Sequence, residues 1–270
     1  MQLIKDDLPD ISSLLDSVIE GELGMHPDNL SISGASYIYQ TTQFPSSKTK
    51  YHNYYLLVRT GASFGACSHT PEQLNMQIAE ELSGQPIKSA LLDERLPVRI
   101  AALDAFIGMA VPHQTSCSEV VTIPGGTPAE KAVFRDKLIA EKALINQGAK
   151  VALIGVVNPL VEAITKRGGI CLPCDLQLEQ TQSGETVEKD MEKVLAQADS
   201  VICTGMTLGN GTFDRILEIA RNRKIPLTIY AQTGSAIAAQ FVGKGVYSLV
   251  AEPFPFSQFS ASETNVFCYG

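Results

Sequence analysis

Between residues 148 and 256 this chain repeats one phrase: an apolar, β-prone run, a turn of small or polar residues, then usually a stretch with helical spacing. The runs are Val151 to Ile154, Gly169 to Leu172, Ser200 to Cys203 and Leu227 to Tyr230, with a fifth candidate at Val246 to Val250. Alternation of this kind predicts an α/β domain built on a parallel sheet. It also says where to look for function, because ligands of open parallel sheets bind in the turns after the carboxyl ends of the strands.

At 270 residues with 44% apolar side chains, the chain can bury a substantial core. Lys and Arg number 21 against 29 Asp and Glu, a formal charge of −8. Nucleic acid is therefore not the expected partner. No run approaches the roughly 18 to 20 apolar residues of a membrane span, and the N-terminus MQLIKDDLPD carries acid where a signal peptide carries base. The expectation is a cytoplasmic protein with no membrane partner. Six scattered cysteines make no disulfide framework.

Ahead of the repeated phrase the pattern differs. Ile11, Leu14, Leu15, Val18 and Ile19 have helical spacing, ended by Gly21 and Gly24. Ser31 to Gln40 and Tyr54 to Arg59 read as antiparallel strands joined by a Pro-Ser-Ser-Lys link, with a short turn or third strand ending near Cys67. Thr70-Pro71-Glu72 has the form of a cap, an N1 proline and an acidic first turn, predicting a helix to about Leu82; a second is expected over Leu96 to Met109. Pro112, Pro124, Gly125 and Gly126 mark the boundary, and Thr127-Pro128-Ala129-Glu130 opens a bridging helix to Asn146. The expected organisation is a smaller α+β domain over 1–120 and a Rossmann-like parallel-sheet domain over 121–270.

The first turn of the sheet, Gly155-Val156-Val157-Asn158-Pro159, lacks two of the three glycines that let backbone approach a pyrophosphate, so NAD and flavin are not expected. Its simplest reading makes Asn158 the N-cap of a helix with Pro159 at N1. Thr204 to Thr212 holds three glycines, three threonines and an asparagine directly after an apolar run. Glycine-rich backbone at a helix N-terminus can offer N–H groups to phosphate or carboxylate; a tight connection capped by Asn210 is the plainer alternative. Gln232-Thr233-Gly234-Ser235 repeats this chemistry after the next run. The candidate ligand-binding residues are accordingly Asn158, Thr204, Gly205, Thr207, Asn210, Thr233, Gly234 and Ser235. Cys171-Leu172-Pro173-Cys174 is a CxxC, the candidate metal pair, with Cys203 a third thiol that the sheet could bring near; two incidental apolar cysteines are the alternative. His69 and His113 fall beside turns, with Asp104 on the helix between them, and these three are the candidates for moving protons.

Several of these segments carry a family resemblance. Val151-Ala152-Leu153-Ile154-Gly155, Ala198 to Gly205 followed by Asn210-Gly211-Thr212, and Gln232-Thr233-Gly234-Ser235 with Gly243-Lys244-Gly245-Val246 resemble the putative heavy-metal chelation proteins of bacteria and archaea. The helix Arg99 to Gly108 looks like that family's small-residue helix, although Asp104-Ala105 stands where the family usually has Asn-Ala. The resemblance implies a domain similar to the enolase N-terminal domain joined to a Rossmann-like domain, with a cleft between them. It also implies a link with metal uptake or cobalamin synthesis. The resulting expectation is a homo-oligomeric protein, a homodimer in the simplest case, that binds a small anionic metabolite or a chelate of a divalent or ferric metal. An enzyme of metallophore (siderophore) or cobalamin-type cofactor biosynthesis is the alternative.

Overall fold

A computed structural model of the chain describes residues 8–43 and 50–270. The Pro-Ser-Ser-Lys link and the first seven residues of the acidic N-terminus lie outside the described residues. Helix α1 (Ile11–Ile19) opens at Asp10, whose carboxylate accepts the Ser13 N–H at 2.8 Å, and it buries Leu14 and Val18. Strands β1 (Gly34–Thr42), β2 (Tyr51–Thr60) and β3 (Ser63–His69) form an antiparallel sheet in that order. Its register sets Tyr39 opposite Tyr54 and Tyr54 opposite His69.

The helix expected from Thr70 to Leu82 forms only at its end, as α2 (Ile78–Leu82). The Gln73 side chain accepts the Thr70 N–H at 2.9 Å and Asn75 accepts that of Gln77 at 3.0 Å. The first bond is half of a capping box and closes a single turn at Thr70; the second is an Asx turn at Asn75, which keeps the backbone out of a continuous helix until Ile78. There follow α3 (Ile87–Leu91), α4 (Leu96–Ala110) and α5 (His113–Ser116). Helix α4 is buried along most of its length, from Pro97 to Ile107 with Arg99 the exception, so no polar stripe marks it as a surface helix.

Strand β4 (Glu119–Ile123) lies inside the stretch that the prolines and glycines were expected to interrupt. It leads into α6 (Pro128–Lys142), where Thr127 and Glu130 complete a capping box. The repeated phrase then follows as β5 (Lys150–Ile154), α7 (Asn158–Lys166), β6 (Ile170–Cys174), α8 (Met191–Gln197), β7 (Ser200–Thr204), the single turn α9 (Met206–Gly209), α10 (Phe213–Arg223), β8 (Leu227–Ala231), α11 (Ser235–Ala239) and β9 (Ser248–Ala251). A last strand, β10 (Thr264–Tyr269), had no counterpart in the sequence reading.

The described chain divides into two compact units, and neither is continuous in sequence. Unit 1 comprises Met1–Cys117 with Gly205–Thr212 and Gln232–Gln240, where the sequence suggested a single cut at 120/121; unit 2 is the remainder. Unit 2 holds a seven-stranded sheet in the order β4-β10-β9-β8-β7-β5-β6. Its five strands from the repeated phrase are mutually parallel, and β10 runs antiparallel to both β9 and β4. Chain order reverses direction between β5 and β7, since β6 was added on one side of β5 and β7 on the other. Ile139, Leu153, Leu160, Ile164, Ile202 and Val266 are completely buried in its core. Each such side chain contributes about 1.5–3 kcal/mol of burial free energy.

Candidate ligand site

In unit 1 the three candidate proton carriers take three different roles. Asp104, in the middle of α4, is 3% exposed. One carboxylate oxygen accepts the Ala66 N–H of β3 at 2.9 Å, and the other accepts the Ala236 N–H of α11 at 2.8 Å. The backbone N–H groups of Gly234 and Ile237 also favour its charge. Burial nevertheless dominates and pushes the carboxyl up to about 7. The same turn returns a bond to β3, Gly234 N–H donating to the Ala66 carbonyl at 2.9 Å. The donors that the sequence offered to an anionic ligand at Gln232 to Ser235 thus face a carboxyl group already, supplied by the chain itself.

Gly234 makes that turn possible. Its backbone is left-handed (φ 66°), and a Cβ there would stand 2.2 Å from Leu208 Cδ1. The other segment of unit 1, Gly205–Thr212, approaches β3 through Gly209, where a Cβ would lie 2.5 Å from the Ser68 carbonyl oxygen. Thr207, Thr233 and Ser235 are buried, whereas Asn210 is exposed and turns inward on its own loop. Its side-chain oxygen accepts from the Thr212 N–H at 3.1 Å and from the Thr212 hydroxyl at 2.7 Å. Asn210 therefore closes the connection into α10, the plainer of the two readings of that loop.

His113 is buried, with Nε2 3.1 Å from the Ser235 hydroxyl, and loss of water pulls its pKa down to about 4. The ring is neutral at physiological pH. His69, at the end of β3, is 8% exposed and its pKa is also lowered by burial. Its Nδ1 stands 2.9 Å from the Thr70 carbonyl oxygen, which fixes the proton on Nδ1, while the buried Nε2 has no hydrogen-bond partner. The ring packs against Tyr37 and Tyr54, at centroid distances of 5.0 and 5.9 Å. Tyr54 stacks in turn on Tyr39 at 4.7 Å, and the Tyr39 hydroxyl is 2.9 Å from His52 Nδ1. This aromatic ladder was not singled out from the sequence. Its signal was the alternation of Tyr37 and Tyr39 on a strand, which puts both rings on one face.

Unit 2 places Asn158, Thr204, Cys171 and Cys174. Asn158 is not the N-cap of α7; Val157 holds that position, and the Asn158 side-chain oxygen accepts the Gln182 N–H at 2.8 Å. It thereby ties the loop after β6 to the first turn after β5. Thr204 ends β7 at the reversal of strand order, where an open sheet forms its crevice. The Tyr230 hydroxyl donates to the Gly155 carbonyl there at 2.6 Å, and Asp175 accepts from the N–H groups of Val156, Gln177 and Leu178. Further along the sheet Arg135 lies 3.3 Å from Asp136 and 3.6 Å from Glu252, both of them buried. Tyr230, Asp175, Arg135, Asp136 and Glu252 escaped the sequence reading because each lies outside the glycine-bearing turns.

Cys171 and Cys174 both lie within β6. Residues three apart on a strand point to opposite faces and are separated by about 10 Å along it, so the CxxC does not bring its thiols together. Burial raises the Cys171 thiol to about 12 and the Cys174 thiol to about 11. Both are protonated near neutrality, the form that binds metal poorly. Among the described residues no three His, Cys, Asp or Glu side chains gather to hold a metal ion, and no helix is long and apolar enough to cross a membrane.

Comparison with known proteins agrees with this architecture. A protein from Desulfitobacterium hafniense, described as a DUF364-family protein of unknown function, is similar at 17% identity over 88% of this chain and 85% of its own, with a TM-score of 0.56. A second protein so described, from Pyrococcus horikoshii, is 16% identical over 88% of this chain and 86% of its own, with a TM-score of 0.49. No curated protein matches. The family model described as DUF364, putative heavy-metal chelation, matches residues 138–228, a stretch that runs from α6 to β8. The resemblance read from the sequence is borne out to this extent: the family model described as putative heavy-metal chelation matches residues 138–228.

Proposed function

We propose that the protein binds a metal ion already held in a small anionic chelating molecule, with His69 Nε2 as the protein's ligating atom. The observation that carries this reading is the state of that imidazole. Its proton is held on Nδ1 by the Thr70 carbonyl and its other nitrogen is left with an unused lone pair. A metal-ligating histidine has the same arrangement, one nitrogen on the metal and the other donating to a backbone carbonyl. The lowered pKa keeps the ring unprotonated, as ligation requires. No group of three protein donors gathers among the described residues, so a metal reaching His69 brings most of its ligands with it. The family description, putative heavy-metal chelation, points the same way. Because Nε2 is buried, a ligand reaches it only through side-chain motion, which is fast for partly exposed residues such as Tyr37 and Tyr54, against which the ring packs.

Titration of the protein with nickel, cobalt, zinc and ferric citrate complexes, and with the bare ions, tests this reading. Binding of at least one citrate complex is expected, weakened tenfold or more by His69→Ala, a loss of about 1.4 kcal/mol or more. Equal binding by the variant would remove His69 from the site. If the same nitrogen instead accepts a proton in metallophore or cofactor synthesis, the bound chelate would be chemically altered, which mass spectrometry of the recovered ligand detects.

A further inference from the structure

The seven-stranded sheet of unit 2 has two edges, and they are treated differently. At one, β6 contains Pro173, which has no N–H, and Glu188 pairs alongside: its N–H donates to the Pro173 carbonyl at 2.9 Å and its carbonyl accepts the Asp175 N–H at 3.0 Å. Proline and a covering segment are standard means of keeping an edge from pairing with another chain. At the other edge β4 has no proline and, among the described residues, no segment paired alongside it. Its sequence is Glu-Val-Val-Thr-Ile, four of five residues β-branched, and Glu119, Val120 and Thr122 are exposed, Val120 at 49%.

We infer that β4 is the contact strand of a homodimer, pairing antiparallel with β4 of a second copy across a twofold axis at Val121. The occupant follows from self-complementarity. In that register Val121 faces its own counterpart, Val120 faces Thr122 and Glu119 faces Ile123. Every directly opposed pair except those holding Glu119 is β-branched on both sides, and no like charges meet. A contact in which one patch meets itself is the usual form of a twofold dimer.

A five-residue strand pair falls short of the roughly 800 Å² per partner of a stable complex. The neighbouring helix supplies more. α6 returns antiparallel to β4, its Lys142 hydrogen-bonded to Glu119, and its outer stripe exposes Val133 at 59% and Phe134 at 37%. A twofold normal to the sheet keeps both α6 helices on one face and antiparallel. Centred between Val133 and Phe134, their contact sets Glu130 of each copy against Lys137 of the other, so charge as well as apolar surface is complementary.

Sedimentation equilibrium of the full chain tests the inference with two double variants at exposed positions, Val120→Lys with Thr122→Lys, and Val120→Glu with Thr122→Glu. Each puts like charges directly opposite in the stated register. The wild type is expected to be dimeric and each variant monomeric, its dissociation constant weakened at least about tenfold. An equimolar mixture of the two variants should dimerise again, because lysine then opposes glutamate. A monomeric wild type across the accessible concentration range overturns the inference, as does either variant remaining a dimer, or a mixture that stays monomeric. Should a variant fail to fold, amide exchange of wild-type β4 decides: protection that rises with protein concentration supports the pairing, and protection independent of concentration refutes it.

Discussion

Replacing Asp104 by asparagine removes a titrating group and keeps its shape. In the folded protein burial raises this carboxyl from 3.8 to about 7, even with backbone donors on both oxygens. Between those two values the folded state holds a proton that the unfolded chain has released, so unfolding releases it and stability falls as pH rises. The contribution is complete below pH 3.8 and lost by pH 7. The difference between those two values corresponds to about 4 kcal/mol, at roughly 1.36 kcal/mol per pH unit. About 3 kcal/mol of that falls between about pH 5 and pH 8. His113 works in the opposite sense: its pKa is lowered from 6.5 to about 4, so its contribution is present above 6.5 and lost as pH falls towards 4. That contribution is common to both proteins and cancels in their difference.

The substituted amide can accept with its oxygen from one of the two N–H groups, that of Ala66 or that of Ala236, but its nitrogen leaves the other unsatisfied, at a cost of about 1–3 kcal/mol. Urea denaturation of both proteins at about pH 5 and pH 8 should show the variant less stable at the lower pH, with the gap closing by about 3 kcal/mol at the higher. A gap of the same size at both pH values would refute the claim that burial, over the backbone donors, sets the proton affinity of Asp104.

Two further outcomes test the geometry. Gly209→Ala forces a methyl to within 2.5 Å of the Ser68 carbonyl oxygen, and the resulting overpacking should cost about 1–3 kcal/mol in chemical denaturation; a neutral substitution would show that the loop does not lie against β3 as described. Cys171 and Cys174, with thiols raised to about 12 and about 11, should react with a disulfide reagent at about pH 8 far more slowly than free cysteine, and serine at both positions should leave citrate-complex binding unchanged. Fast modification of both thiols in the native protein, or loss of metal on substitution, would restore the CxxC as a functional pair.

The parallel strands were legible because their signal is local. An apolar run of four or five residues followed by a glycine or asparagine turn is visible in a short window, and all five runs from Val151 to Val250 became strands. Caps were legible where the helix continued, as at Thr127, and misleading at Thr70, where an Asx turn at Asn75 interrupts the helix, and at Asn158, whose side-chain oxygen accepts the distant Gln182 N–H instead of capping. Strand β10 pairs with β4 across a long stretch of intervening chain, as Thr264 with Ile123 shows, and no local pattern carries that register.

What the sequence alone determined is therefore the class of fold, the strand-turn phrase and the family it resembles. Tertiary structure decided what those turns are for. The Gln232 to Ser235 turn looked like a site for a ligand anion, and the acceptor it faces proved to be the Asp104 carboxyl, brought from 132 residues away to Ala236. Conversely His69, one histidine among four in the sequence, became the candidate ligand only because folding buried it, gave Nδ1 a carbonyl and left Nε2 without a partner. Hydrogen-bond donors and acceptors are written in the sequence, but which of them remain unspent is settled by long-range packing.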